Sequence, residues 1–319
     1  MIKLVLKSTV LAAATLATSV ALAAFPEKPV TIVVPFTAGT ATDTMTRIVA
    51  QKYAQRLGQP VVVENRPGAD GAIGAVHVAR SAPDGYTLLM STNGFSAVPA
   101  MRKEAPYDPI ADFSPISMVG RYSFFLFVNS TVPVESMGEL IEYARANPGK
   151  LNYGTGNPTG IVATGQILAL TGTEMLHVPY KGEPAAMTDL VANRVQVLIA
   201  TPTTGAEYAK EGKLRMLATT LPERSPAYPD VPTMEEAGIK GFAVPSWAAL
   251  QGPKGMPEPI VEKLGAELKA VLEDPEVMAS LAKQRFMPAA STPGELNDFV
   301  KSQISLYAET LRQAGVEPQ

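Results

Sequence analysis

An apolar run at Val30–Val34, closed by Pro35, reads as a strand buried on both faces of a parallel sheet. Small residues follow at 37–42. Met45, Ile48, Val49, Ala50, Tyr53 and Leu57 then recur at spacings of three and four, predicting a helix over 43–57 with Thr42 or Asp43 as N-cap and Gly58 as its stop. Residues 61–63 make the next strand, 65–68 a turn, 72–82 a helix ended by Pro83-Asp84-Gly85, and 86–90 a third strand. Strands separated by single helices imply right-handed parallel crossovers, so this part of the chain describes a doubly wound lobe.

Residues 101–116 form a proline-broken connection. The apolar, aromatic stretch 116–129 suits a strand passing into a second lobe. A second α/β series follows: helix 135–147, strand 151–153, a small-residue loop over 154–160 ahead of helix 161–170, strand 175–180, helix 184–192, and strands 195–200 and 213–219. Residues 221–232 are proline-rich loop, and 242–252, with the only tryptophan, Trp247, form the return crossing. Amphipathic helices are expected at 257–272, 275–285 and 293–314. The fold class is therefore α/β with two doubly wound lobes and a hinge, the crossings lying near 117–127 and 242–252. Lobe 1 takes residues 24–121 and 244–319, and lobe 2, residues 122–243, is inserted in it.

Met1 to Ala23 carries Lys3 and Lys7, an alanine-rich apolar run and the small-x-small sequence Ala21-Leu22-Ala23, the pattern of an export signal cleaved near Ala23. The run is shorter than the roughly 20 residues needed to span hydrocarbon. A freely soluble exported protein is expected, in the periplasm. Zero cysteines in an oxidising compartment exclude disulfide frameworks, thiol catalysis and cysteine-ligated zinc. A net charge of −3 without clustered Lys/Arg argues against a nucleic-acid partner.

Catalytic chemistry finds little footing. His77 and His177 are the only histidines, both suited to structural hydrogen bonding, and no G-x-S-x-G, H-E-x-x-H or EF-hand spacing occurs. The carboxylates Asp43, Glu64, Asp70 and Asp84 lie near lobe 1 loops, but Asp43 suits a helix cap, Asp84 a turn, and Glu64 with Arg66 a local ion pair. Neither glycine loop matches a P-loop or a dinucleotide fingerprint. The loops offer backbone N–H groups, the hydroxyls of Thr37, Thr40, Thr42, Ser91, Thr92, Thr155 and Thr159, and helix N-termini, with no Lys or Arg inside them. Fixed dipoles of this kind suit a carboxylate held reversibly, although each loop taken singly also reads as a tight turn.

Five segments occur in order: Pro29-Val30-Thr31-Ile32-Val33-Val34-Pro35-Phe36, Leu57-Gly58-Gln59-Pro60-Val61-Val62-Val63-Glu64-Asn65-Arg66-Pro67-Gly68, Pro83-Asp84-Gly85-Tyr86-Thr87-Leu88-Leu89, His177-Val178-Pro179-Tyr180-Lys181-Gly182 and Thr188-Asp189-Leu190. Together they resemble the signature segments of the periplasmic solute-binding proteins of tripartite tricarboxylate transporters, the Bug family. The resemblance implies a Venus-flytrap fold of the periplasmic binding protein type II kind. It implies closure on a small organic acid (mono-, di- or tricarboxylate), docking on membrane permease subunits, no catalysis and no cofactor, the chain acting as a monomer. One ligand carboxylate would be held by Phe36, Thr37, Ala38, Gly39, Thr40 and Asp43 from lobe 1, with Gly68 and Ala69, and by Gly154, Thr155, Gly156, Asn157, Thr159 and Ile161 from lobe 2. Ser91, Asn93, Tyr180, Thr201, Thr203 and Trp247 would read the distal part. Thr40 stands where the family commonly has a second glycine, Asp70 replaces a more usual glycine, and Thr201-Pro202-Thr203-Thr204 gives lobe 2 an uncharged hydroxyl wall. Selection by shape and hydroxyl groups, without an ion pair at each end, is the corresponding expectation. Service to a membrane sensor, or a carboxylate-using hydrolase, are the alternatives.

Overall fold

The computed structural model describes residues 25–313 except 243 and 245. The expected leader at 1–23 lies outside the described residues. Lobe 1 begins with β1 (Val30–Val34), α1 (Ala41–Leu57), β2 (Val61–Asn65), a 3-10 turn (Ala69–Gly71), α2 (Ala72–Ala79) and β3 (Thr87–Thr92). β1 pairs in parallel with β2 and β3, burying its Val and Ile side chains between helices on both faces, as its continuous apolar run requires. A short helix α3 (Asn93–Ala97) and a 3-10 turn (Val98–Met101), both missed in the sequence, then lead to β4 (Phe113–Tyr122).

The expected crossing strand over 116–129 is two strands. β4 ends at Tyr122, and β5 (Phe125–Asn129) starts again in the second sheet after Ser123 and Phe124. The break is fixed by hydrogen bonds: the Phe124 carbonyl accepts from Thr220 N–H at 2.9 Å and Thr219 Oγ1 at 3.2 Å. Lobe 2 continues with α4 (Met137–Ala146), β6 (Asn152–Thr155), α5 (Pro158–Thr171), β7 (Leu176–Pro179), α6 (Glu183–Val191), β8 (Val197–Ala200), α7 (Pro202–Lys210) and β9 (Leu214–Thr219). α7 is likewise not expected from the sequence, because proline and threonines at its start look like loop. The chain returns through β10 (Trp247–Pro253), followed by α8 (Glu258–Leu272), α9 (Pro275–Lys283), the short strand β11 (Phe286–Pro288) and α10 (Pro293–Gln313).

The two sheets share one plan. Lobe 1 runs β11-β4-β10-β3-β1-β2 and lobe 2 runs β7-β6-β8-β5-β9. In each, three parallel strands are followed by one antiparallel strand that has just arrived from the other lobe: β10 beside β3, and β5 beside β8. These two arrivals are buried along their whole length. Phe125 and Phe127 are fully buried in β5, worth roughly 1.5–3 kcal/mol each. The crossings are thus anchored in the cores they enter, and the loops at the carboxyl ends of β1, β2 and β6 face one another.

Candidate functional site

The loop after β1 turns tightly through Gly39 (φ 80°) into α1. Thr40, rather than Thr42 or Asp43, is the N-cap: its Oγ1 accepts from the Asp43 N–H at 3.3 Å and donates to the Thr37 carbonyl at 3.0 Å. Asp43 sits three residues on and accepts from the N–H of Gly39, the residue before the cap, at 3.0 Å, so the two side chains tie the loop to the helix start. The Asp43 carboxylate also takes Arg47 Nε at 3.0 Å and Asn65 Nδ2 at 2.9 Å, while Asn65 Nδ2 reaches the Phe36 carbonyl at 3.0 Å. Burial acts to raise the Asp43 pKa, but the hydrogen bonds from Arg47, Gly39 and Asn65 outweigh it and hold the carboxyl below its ordinary value. Asp43 therefore builds the loop.

The second loop holds four consecutive residues at positive φ, Gly68, Ala69, Asp70 and Gly71. Asp70 in this left-handed region explains why glycine would be the easier residue there, and its carboxylate pairs with Arg102 at 2.6 Å. The remaining lobe 1 carboxylates fill the bland roles expected of them. Glu64 meets Arg66 at 2.7 Å, and Asp84 accepts from the Tyr86 N–H at 3.1 Å.

From lobe 2, β6 leads through Thr155 and Gly156 to Asn157, the N-cap of α5, whose Oδ1 accepts from Gly160 N–H at 2.9 Å. A Cβ on Gly156 would come within 2.4 Å of the Glu183 backbone nitrogen, so glycine lets the start of α6 lie against this loop. Thr155 Oγ1 lies 2.6 Å from His177 Nε2, and the ring stacks on Tyr153. Burial lowers the His177 pKa, against an opposing pull from Asp70. The Tyr180 hydroxyl donates to Asp189 at 2.9 Å; burial, then this partner, push its pKa up to about 12.

The lobes touch across the cleft. Asn93 Nδ2 donates to Thr159 Oγ1, Gly94 packs on Pro158, and Thr37 lies against Gly182. An outer cavity of about 440 Å³ is walled by Phe36, Thr37, Gly68, Ala69 and Asp70 from lobe 1 and by Gly156, Asn157, Tyr180 and Lys181 from lobe 2. Sharing Phe36, Gly156 and Asn157 with it, an inner cavity of about 20 Å³, room for roughly one water, is lined from lobe 1 by Phe36, Thr40, Ala41, Thr42, Thr92, Tyr122 and Phe124. Lobe 2 completes it with Gly156, Asn157, Thr159, Glu183 and Thr201.

Several expected site residues fall elsewhere. Ala38 and Gly39 are exposed on the loop and line neither cavity. Gly154 and Ile161 serve packing: Gly154 lies against Tyr180 and Val195, and Ile161 joins the core. Ser91 is wholly buried, donating to the Ala249 carbonyl at 3.0 Å and accepting from Gln251 at 2.9 Å. Thr203 has a buried hydroxyl without a partner but lines neither cavity. Trp247, expected to read the ligand, is instead a core residue, fully buried edge-on against Phe299 of α10.

Three charged residues at the cleft were missed: Asp70, Lys181 and Glu183. In the sequence Asp70 stands out only as a loop carboxylate and a departure from glycine, and Lys181 only as part of a motif. Glu183 lies just before the helix expected over 184–192 and opens that helix in the structure. The expected hydroxyl wall is also taken up internally: Glu183 Oε1 accepts from Thr201 N–H at 2.9 Å, Thr201 Oγ1 at 2.6 Å and Thr204 Oγ1 at 2.6 Å.

Two sheets of matched order, joined by crossings and meeting at a loop-lined cleft, define a two-lobe solute-binding protein. The chain belongs to the tripartite tricarboxylate transporter receptor family, whose model matches residues 45–316. It is similar to the periplasmic binding protein BugD, at 36% identity and TM-score 0.88 over 92% of this chain and 100% of that one. It is likewise similar to Rpa4515 of R. palustris, solved with adipate, at 33% identity and TM-score 0.88 over 92% and 100% of the two chains. MatC of Rhodopseudomonas palustris, solved with bound malate, matches at 31% identity and TM-score 0.84 over 90% and 100%. This is a family of receptors, not enzymes.

Proposed function

We propose that this chain is exported to the periplasm, its leader removed after Ala23, where it captures a small organic carboxylate between its lobes and delivers it to membrane permease subunits of a tripartite tricarboxylate-type transporter. The observation that carries the reading is the inner cavity, where the first turn of α1 (Thr40, Ala41, Thr42) faces the first turn of α5 (Asn157, Thr159) across the cleft. First-turn N–H groups have no carbonyl partner within their own helix, and both helix dipoles place partial positive charge there. Adipate and malate in the relatives' structures support the same ligand class. Residues 24–121 with 244–319, and residues 122–243, would move as two bodies about the crossings near 117–127 and 242–252.

A thermal-shift screen of ligand-free protein against organic acids tests this. A cognate acid at 100 times its Kd adds about 2.7 kcal/mol of stability. No shift with any carboxylate would overturn the assignment.

Lys181 changes the expectation of a purely uncharged site, because this exposed lysine borders the outer cavity. For a dicarboxylate anchored at the helix starts, Lys181→Met is expected to weaken binding about two- to fivefold, the value of an exposed ion pair near 0.5–1 kcal/mol. Calorimetric titration at two salt concentrations checks it. The loss should shrink at high salt and vanish for a monocarboxylate, and equal losses for both acids would rule out the pairing.

A further inference from the structure

The inner cavity contains a carboxyl group of the protein itself. Glu183 is 3% exposed, and no lysine or arginine lines the cavity with it. Lobe 2 has already spent its donors on this side chain: three converge on Oε1, and Asn157 Nδ2 donates to Oε2 at 3.0 Å. A carboxylate offers about four acceptor positions, two on each oxygen. Oε2, with one donor, has an acceptor position left over, and Glu183 lines the cavity. Across from it stand the α1 start, the Thr42 and Thr92 side chains and the Tyr122 ring. Burial raises the pKa of Tyr122, so its phenol stays neutral.

The two walls therefore ask for different things. Lobe 1 presents donors to a carboxylate, and lobe 2 presents an acceptor that wants a proton donor. A bare carboxylate pressed between them would set its charge against that of Glu183 in a site with little water to screen it. A hydroxyl or ammonium on the adjoining carbon would instead donate to Oε2 while the carboxylate stays on α1.

Resting on the carboxylate-receptor reading above, we propose that Glu183 makes the cleft selective for carboxylates bearing a hydrogen-bond donor, hydroxyl or ammonium, beside the carboxyl group, over the same acids without one. Charge neutralisation at Glu183 makes the ammonium compound the more sensitive of the two.

The test is calorimetric titration of the full mature protein with matched trios of four-, five- and six-carbon diacids: unsubstituted, 2-hydroxy and 2-amino. The expected result is at least tenfold tighter binding of a donor-bearing acid than of its unsubstituted parent. In Glu183→Gln the advantage of the amino acid over its parent should fall at least tenfold, and that of the hydroxy acid by less. A larger wild-type gain for one donor than for the other identifies which group the site takes. Equal or tighter binding of the unsubstituted acids by the wild-type protein overturns the proposal while leaving the receptor reading intact, and needs no variant to fold. Preferences unchanged in a folded Glu183→Gln protein also overturn it. Failure of every acid to bind overturns both readings together.

Discussion

Gly182→Val is expected to leave both lobes folded and to weaken ligand binding roughly 10- to 100-fold. Gly182 precedes α6 with an extended backbone (φ −177°, ψ 161°) that valine adopts freely, so the substitution carries no conformational penalty of its own. What it meets is the other lobe. A Cβ there would lie 2.5 Å from Thr37 Oγ1 and 3.3 Å from Thr37 Cγ2, and valine adds two methyl groups beyond that position. Overpacking of this kind costs about 1–3 kcal/mol. Because Thr37 and Gly182 meet only when the lobes meet, the cost falls on the closed arrangement alone. Apparent affinity scales with the fraction of molecules able to close, and about 1.4 kcal/mol is a factor of ten. Calorimetry gives the affinity, and small-angle scattering gives the contraction on adding ligand, which the variant should lose. Thr37→Ala in the same chain removes both clashing atoms and should restore part of the affinity. A variant that contracts and binds like the wild type would show that closure does not bring these residues together.

The strands and most helices were legible because they rest on periodicity that local sequence carries. Val30–Val34 had to be a doubly covered strand, and Gly58 (φ 69°) had to end α1. The loops after β1 and β6 were legible for a similar reason, since runs of small residues before a helix advertise close backbone approach. Illegible were features decided by partners distant in sequence. The strand expected over 116–129 carries no break signal, and its interruption depends on Thr219 and Thr220 about a hundred residues on. Trp247 is buried because α10 supplies Phe299, Leu296 and Val300 to cover it. Thr201 reads as a ligand contact and Thr204 as part of a hydroxyl wall until Glu183 is seen to occupy both hydroxyls. An acidic residue at a helix start is so ordinary that nothing local marks this one as the floor of a cleft.

Asp43→Asn is expected to destabilise the protein by about 2–3 kcal/mol, as the sum of lost hydrogen bonds to a buried carboxylate. The substitution keeps one oxygen acceptor and turns the other into a donor, so the Gly39 N–H and Asn65 Nδ2 can no longer both be satisfied. Arg47 is half exposed and loses less, because solvent takes its place. At roughly 2–4 °C per kcal/mol the melting temperature should fall by about 5–10 °C. The pH dependence identifies the cause. Asp43 has a folded-state pKa below its ordinary 3.8, so its contribution is complete above that value and is lost as pH falls through the folded one. The gap between wild type and variant should therefore stay constant across neutral and mildly acid pH and close only below about pH 3.8. Glu183 acts with the opposite sign: burial raises its pKa, so its ionised form costs stability at neutral pH and the cost fades as pH falls. A gap that narrows already near neutral pH would mean that Asp43 is not the group being measured. A gap that persists well into strong acid would mean that the charge of Asp43 does not hold the loop, and that a protonated Asp43 holds it as well as the carboxylate does.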